Sequence, residues 1–84
     1  MDAKYIYEVF KTTGEYKLPD LILGLARLQF EKNCPIPNGM TDKGIREFMG
    51  RHYNALVTAY KSRDFETFAK AVAECEEKDK QANV

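Results

Sequence analysis

The sequence predicts an all-α protein: a small four-helix array of two helical hairpins joined by a Pro/Gly loop. Three observations lead there. Apolar residues recur at three- and four-residue intervals along most of the chain. Capping residues and glycines break that pattern at helix-length spacing. Pro35 and Pro37, at alternate positions, exclude a helix between Asn33 and Gly39 and divide the chain into two halves.

The first helix is expected from Asp2 to Thr13, with Asp2 as its cap and Gly14 as its stop. Ala3, Ile6, Val9 and Phe10 form its inward stripe, which Tyr5 and Tyr7 widen. The second begins near Leu18. Pro19 suits a first turn, where its missing N–H costs nothing, and Asp20 favours the positive helix end. Leu18, Leu21, Ile22, Leu23, Leu25, Ala26, Leu28 and Phe30 sweep roughly 220° of the helical wheel. One neighbouring helix cannot cover that arc, so the segment is expected to be the hub of a bundle or to meet a second chain. Gly24 stands mid-helix, which fits a close backbone crossing or chance.

Asn38-Gly39 supplies a turn after the prolines. Thr41 is the expected cap of the third helix, with Met40 and Ile45 spaced for a hydrophobic staple. Ile45, Phe48, Met49, His52, Tyr53, Leu56, Val57, Ala59 and Tyr60 then form one continuous face. Ser62-Arg63-Asp64 turns the chain, and Asp64 caps a fourth helix with Phe65, Phe68, Ala69, Val72, Ala73 and Cys75 facing inward. From Glu76 to Val84 the chain is polar and expected to fray. Tyr60 through Ala69 resembles, over one turn, the junction inside a tetratricopeptide helix pair. No ~34-residue period accompanies it, so it implies nothing about function.

The 84 residues are expected to form one helical domain, 1–84, with residues 78–84 as a frayed tail. That size lies near the lower limit for a self-sustaining core. The apolar fraction of 44% argues against disorder. No apolar run approaches the ~18–20 residues of a membrane span, and Met1-Asp2-Ala3-Lys4 does not open a signal peptide, so a cytoplasmic location with no membrane contact is expected. Cys34 and Cys75 are then free thiols; an oxidising compartment would allow a disulfide between them.

Net charge is zero, yet the charge is sorted. Residues 34–63 carry five bases against two acids, and residues 64–84 carry six acids against three bases. Two antiparallel helices with complementary edges explain this most simply; a dipole that binds a partner is the other reading.

Catalytic parts are missing, and no enzyme is expected. His52 is the single histidine, and no residue at helical spacing can orient its ring. It is read as buried and neutral, hydrogen-bonded to a tyrosine or a carbonyl, so that acid would loosen the fold. A zinc site would need Cys34, Cys75, His52 and a carboxylate to converge without any close ligand pair, so no metal is expected. No glycine-rich phosphate loop and no cofactor motif appears. Glu74, Glu76, Glu77 and Asp79 read as a solvated charge run.

Two binding readings remain. The wide apolar arcs and five tyrosines (Tyr5, Tyr7, Tyr16, Tyr53 and Tyr60) suggest surplus apolar surface, which points to a protein partner of unknown identity or to a homodimer. The expected contact residues are Tyr5, Tyr7, Leu23, Arg27 and Phe30. Small regulators, inhibitors and assembly adaptors, those of phages and mobile elements included, share this profile. The alternative is a nucleic-acid-binding adaptor using Lys43, Arg46, Arg51 and Asn54 on the outer side of the third helix. Glu47 lies in the same patch and is spaced to pair with Arg51.

Overall fold

The computed structural model describes residues 1–14 and 17–82. Among the described residues there are five helices: α1 (Ala3–Thr13), α2 (Leu18–Phe30), α3 (Asp42–Arg51), α4 (Tyr53–Lys61) and α5 (Phe65–Ala82). The expected third helix is therefore two helices, and the four-helix count is corrected to five. The break falls on His52, whose φ of −114° and ψ of 25° lie outside the α region. Two causes are local. Gly50, two residues earlier, weakens the helix by about 1 kcal/mol relative to Ala. Arg51 and His52 both reach the same carboxylate, that of Asp79. Consecutive side chains on a regular helix diverge by about 100°, so sharing one acceptor favours a departure from it.

The helix ends follow from their residues. The Asp2 carboxylate accepts from the backbone N–H groups of Lys4 and Tyr5, satisfying two donors that the helix leaves unpaired. Gly14 closes α1 in the left-handed conformation, φ 69°. The Thr41 hydroxyl accepts from Gly44 N–H at 3.0 Å, and the Asp64 carboxylate accepts from Thr67 N–H at 3.3 Å. Pro19 occupies the first turn of α2. Between α2 and α3, Asn38 and Gly39 form a turn closed by a Met40 N–H to Pro37 C=O bond of 3.2 Å. The last helix continues through Ala82, where a polar tail fraying from Glu76 was expected. Tertiary bonds account for this. Glu76 accepts from the Met1 amine at 2.8 Å, and Asp79 accepts from Arg51 and His52.

The core joins all five helices. Ile6, Val9 and Phe10 of α1 meet Leu21, Leu25 and Leu28 of α2, Ile45, Phe48 and Met49 of α3, Leu56 of α4, and Phe68 and Val72 of α5. Each such side chain contributes about 1.5–3 kcal/mol relative to exposure. At one end the core is aromatic: the Phe10 ring stacks on Tyr60 at 4.9 Å and meets Phe68 edge-on at 5.5 Å.

α1 and α2 cross closely at Gly24. A Cβ there would stand 2.9 Å from the Val9 carbonyl oxygen and would collide with the Thr13 methyl. Close crossing, rather than chance, therefore explains the mid-helix glycine. The Tyr5 hydroxyl reaches the Cys34 carbonyl at 3.4 Å, so α1 and α2 run antiparallel. On its other side α1 lies along α5, with Met1 near Glu76 and Tyr7 near Phe65 and Phe68. Among the described residues no polar or charged side chain is fully buried. Polar groups that could act on another molecule therefore sit at the surface.

Candidate functional site

α2 is the helix with two unlike faces. Leu21, Gly24, Leu25 and Leu28 are buried against the bundle. The opposite line reads Pro19, Leu23, Ala26 and Phe30, apolar residues at spacings of four, three and four. That spacing keeps them on one stripe and is the pattern of a helix–helix seam. Leu23 is 48% exposed and Phe30 81% exposed. Pro19 is exposed, Ala26 is half-buried and Arg27 is exposed beside the stripe. Burying Leu23 and Phe30 against another surface would contribute roughly 1–3 kcal/mol each. The fold itself gains little from them.

The structure brings Leu23, Arg27 and Phe30 together but separates the two tyrosines from them. Tyr5 is a core residue, 5% exposed, and its hydroxyl proton goes to the Cys34 carbonyl. Burial and the nearby Cys34 and Asp42 push its phenol above the ordinary value of 10.0. Tyr5 is therefore corrected from contact residue to core residue. Tyr7 packs edge-on against Phe65 at 5.3 Å and Phe68 at 5.2 Å, facing α5. At about 100° per residue it lies more than a quarter turn from Val9 and Thr13, which face α2. It belongs to a second surface, with the 40% exposed Phe65 and a Lys11 ammonium 5.8 Å over its own ring. Tyr16 lies outside the described residues. Tyrosine suits core edges and interfaces equally, so residue type alone could not sort these positions. Pro19 and Ala26, not singled out from the sequence, complete the stripe. The four-three-four spacing was the signal that could have found them.

The expected nucleic-acid face is differently built. Arg46 donates to Asp42 through Nε and, at 3.5 Å, through Nη2. Lys43 Nζ lies 3.8 Å from Glu47. Arg51 donates through Nη2 to Asp79 at 2.9 Å and stands 4.0 Å from Glu47. Asn54 is exposed near Arg51. All three cations therefore already have acidic neighbours on the same surface.

His52 is half-buried rather than a core residue, and its ring meets a carboxylate where a tyrosine or a carbonyl was expected. Its Nε2 lies 2.8 Å from Asp79 Oδ1, and its ring packs on Phe48 with centroids 5.0 Å apart. Asp79 was equally misread as part of a solvated run. The Arg51 guanidinium and then His52 hold its carboxyl below the ordinary 3.8. Arg51 and His52 border an open cleft of about 420 Å³ that Gly50, Asn54 and Lys78 also line. Among the described residues, those lining that cleft include Tyr53 and Lys78 but no serine, threonine or cysteine. Cys34 and Cys75 are free, and burial pushes the Cys75 thiol up. Among the described residues no group of histidine, cysteine and carboxylate side chains could hold a metal ion. No helix among them is long and apolar enough to cross a membrane.

The chain matches no family model, no curated protein and no solved structure.

Proposed function

We propose that this protein is a non-catalytic, protein-binding helical module that presents the outer stripe of α2 to another polypeptide. It would act as a small regulator, inhibitor or assembly adaptor. One observation carries the reading. Phe30 stays 81% exposed at the end of a seam-like apolar line, on a helix whose other face is fully packed. Exposed large apolar residues occur singly on many surfaces; a line of them at seam spacing marks a contact surface.

The nucleic-acid reading has less support. Lys43, Arg46 and Arg51 each have an acidic neighbour, which cancels the field a phosphate backbone would feel.

Photo-crosslinking tests the reading. A photoreactive residue at position 30, in cells that make the protein, should give a discrete crosslinked band. The same residue at the exposed position 70 on α5 should not. A band from position 30 to any polypeptide supports the reading. Equal and diffuse labelling from both positions would overturn it.

A further inference from the structure

α3 and α4 carry one apolar face between them. Buried Ile45, Phe48 and Met49 of α3 and Leu56 and Ala59 of α4 fall within about 100° of arc on a single helical wheel, with half-buried His52 near its middle. The wheel runs through the break as though none were there. Joined into one helix, both halves would keep their buried faces on the bundle.

The break forgoes backbone bonds. Regular α geometry through His52 would bond the N–H groups of Asn54 and Ala55 to the carbonyls of Gly50 and Arg51. Among the described residues neither bond forms. The last bond of α3 runs from His52 N–H to Phe48 C=O at 3.1 Å, and the first of α4 runs from Leu56 N–H to His52 C=O at 2.9 Å. Packing does not require a glycine before the break either. A Cβ on Gly50 would meet nothing within 4 Å, whereas one on Gly24 would collide with α1. Gly50 therefore weakens the helix without filling a steric need.

We infer that α3 and α4 are halves of one helix, latched open at His52 by Asp79 of α5, with a second arrangement in which the helix runs unbroken from Asp42 to Lys61. Arg51 Nη2 lies 2.9 Å from the Asp79 carboxylate and His52 Nε2 lies 2.8 Å from it. Consecutive side chains on a regular helix diverge by about 100°, so the joined helix brings only one of the two to Asp79. Arg51 then keeps Glu47, already 4.0 Å away and one turn earlier, so its charge is not stranded. One arrangement gains the paired contacts with Asp79 and the other gains the missing backbone bonds. Each excludes the other, which makes the joint a two-state element. Leu18 lines the same cleft as Gly50, Arg51, Asn54 and Ala55, so movement of the joint reaches the first turn of α2.

Nuclear magnetic resonance of the full chain reads the joint through the His52 Cα shift and the exchange of the Asn54 and Ala55 amides. In the native chain the shift should lie outside the helical range and both amides should exchange freely. Asp79→Ala should bring the shift into the helical range and slow both amides by about tenfold or more. The double variant Gly50→Ala, Arg51→Ala should do the same with Asp79 in place, because only His52 then reaches for the carboxylate. Both of its positions are exposed, so the bundle is untouched. A protected Val72 amide shows that a variant folds.

A folded Asp79→Ala variant in which His52 stays non-helical and both amides still exchange freely would overturn the latch, even if the double variant joins. Where Asp79→Ala does not fold, the double variant decides by the same two readings: slowed amides support the second arrangement, and unchanged ones overturn it. A native chain already protected at Asn54 and Ala55 would overturn the open joint itself.

Discussion

The outer stripe of α2 and the polar corner where α3, α4 and α5 meet are both surface, and they differ in what they lack. At the corner, Arg51 and His52 converge on Asp79, Arg46 binds Asp42, and Lys43 stands beside Glu47. Its chemistry is largely satisfied within one chain. On α2, Leu23 and Phe30 remain in water, and among the described residues Asp20 and Arg27 beside them form no ion pair. A residue that attracts attention by type, such as a lone histidine or a cluster of arginines, can be fully occupied by the fold. Ordinary residues such as leucine and phenylalanine become informative when the fold leaves them uncovered.

The two faces of α2 give the sharpest measure of that difference. Leu25 is fully buried and should cost about 2–5 kcal/mol on truncation to alanine. Leu23→Ala and Phe30→Ala should each change monomer stability by under about 0.5 kcal/mol. Urea unfolding at low protein concentration checks this. A loss of more than about 2 kcal/mol for Phe30→Ala would show that the stripe belongs to the fold. Gly24→Ala comes next. A new Cβ would press on the Val9 carbonyl oxygen and the Thr13 methyl, and backbone cannot yield as a side-chain tip can. Helix propensity gains about 1 kcal/mol from the change. Overpacking costs typically 1–3 kcal/mol and should prevail here. A stabilised variant would mean that α1 and α2 separate readily.

The polar corner makes its own demand on pH. Asp79 is held below the ordinary 3.8 chiefly by Arg51, Asp42 by Arg46 and Asp64 by Thr67. A depressed folded-state pKa contributes stability that is present above the unfolded value. That stability is lost as pH falls towards the folded value, because the unfolded chain takes up protons first. These carboxylates therefore give a flat stability between about pH 8 and pH 5 and a decline below about pH 4. Asp79→Asn should make the decline shallower, since one of the three groups no longer titrates. An unchanged urea midpoint down to about pH 3 would show that these pairs do not stabilise the fold.

How much of this was legible in the sequence depends on distance along the chain. Local chemistry was readable. Asp2, Thr41 and Asp64 cap the helices as their residue types suggest, and Gly14 ends α1. Leu23, Arg27 and Phe30 stand on the exposed side of α2, where the wheel placed them. Features made by contacts between distant residues were not readable. Asp79 lies 27 positions from His52, and nothing in its neighbourhood of Glu76, Glu77, Lys78 and Lys80 marks it as the ligand of that ring. The helix break at His52 went unseen for the same reason. Tyr5 and Tyr7, two residues apart, point to different neighbours that only the packing of α2 and α5 decides.

The smallest expected effect concerns nucleic acid, and it tests whether the corner is as self-contained as its geometry indicates. A phosphate approaching Arg51 must compete with Asp79 at 2.9 Å and with Glu47 at 4.0 Å; one approaching Arg46 must displace the Asp42 carboxylate. Each displacement leaves an acid facing the incoming anion. Only the cations that remain after that competition release counterions, so both affinity and salt dependence shrink together. Fluorescence titration of labelled duplex and single strands at about 20 mM and about 150 mM salt should show no binding tighter than the nonspecific range of about 10⁻⁴ M. Asp79→Asn frees Arg51 and should raise any low-salt binding slightly, since it removes the competitor rather than a contact. Submicromolar binding by the native chain, weakened by Lys43→Gln, Arg46→Gln or Arg51→Gln and indifferent to Leu23→Asp, would reverse the comparison and make the corner the working surface.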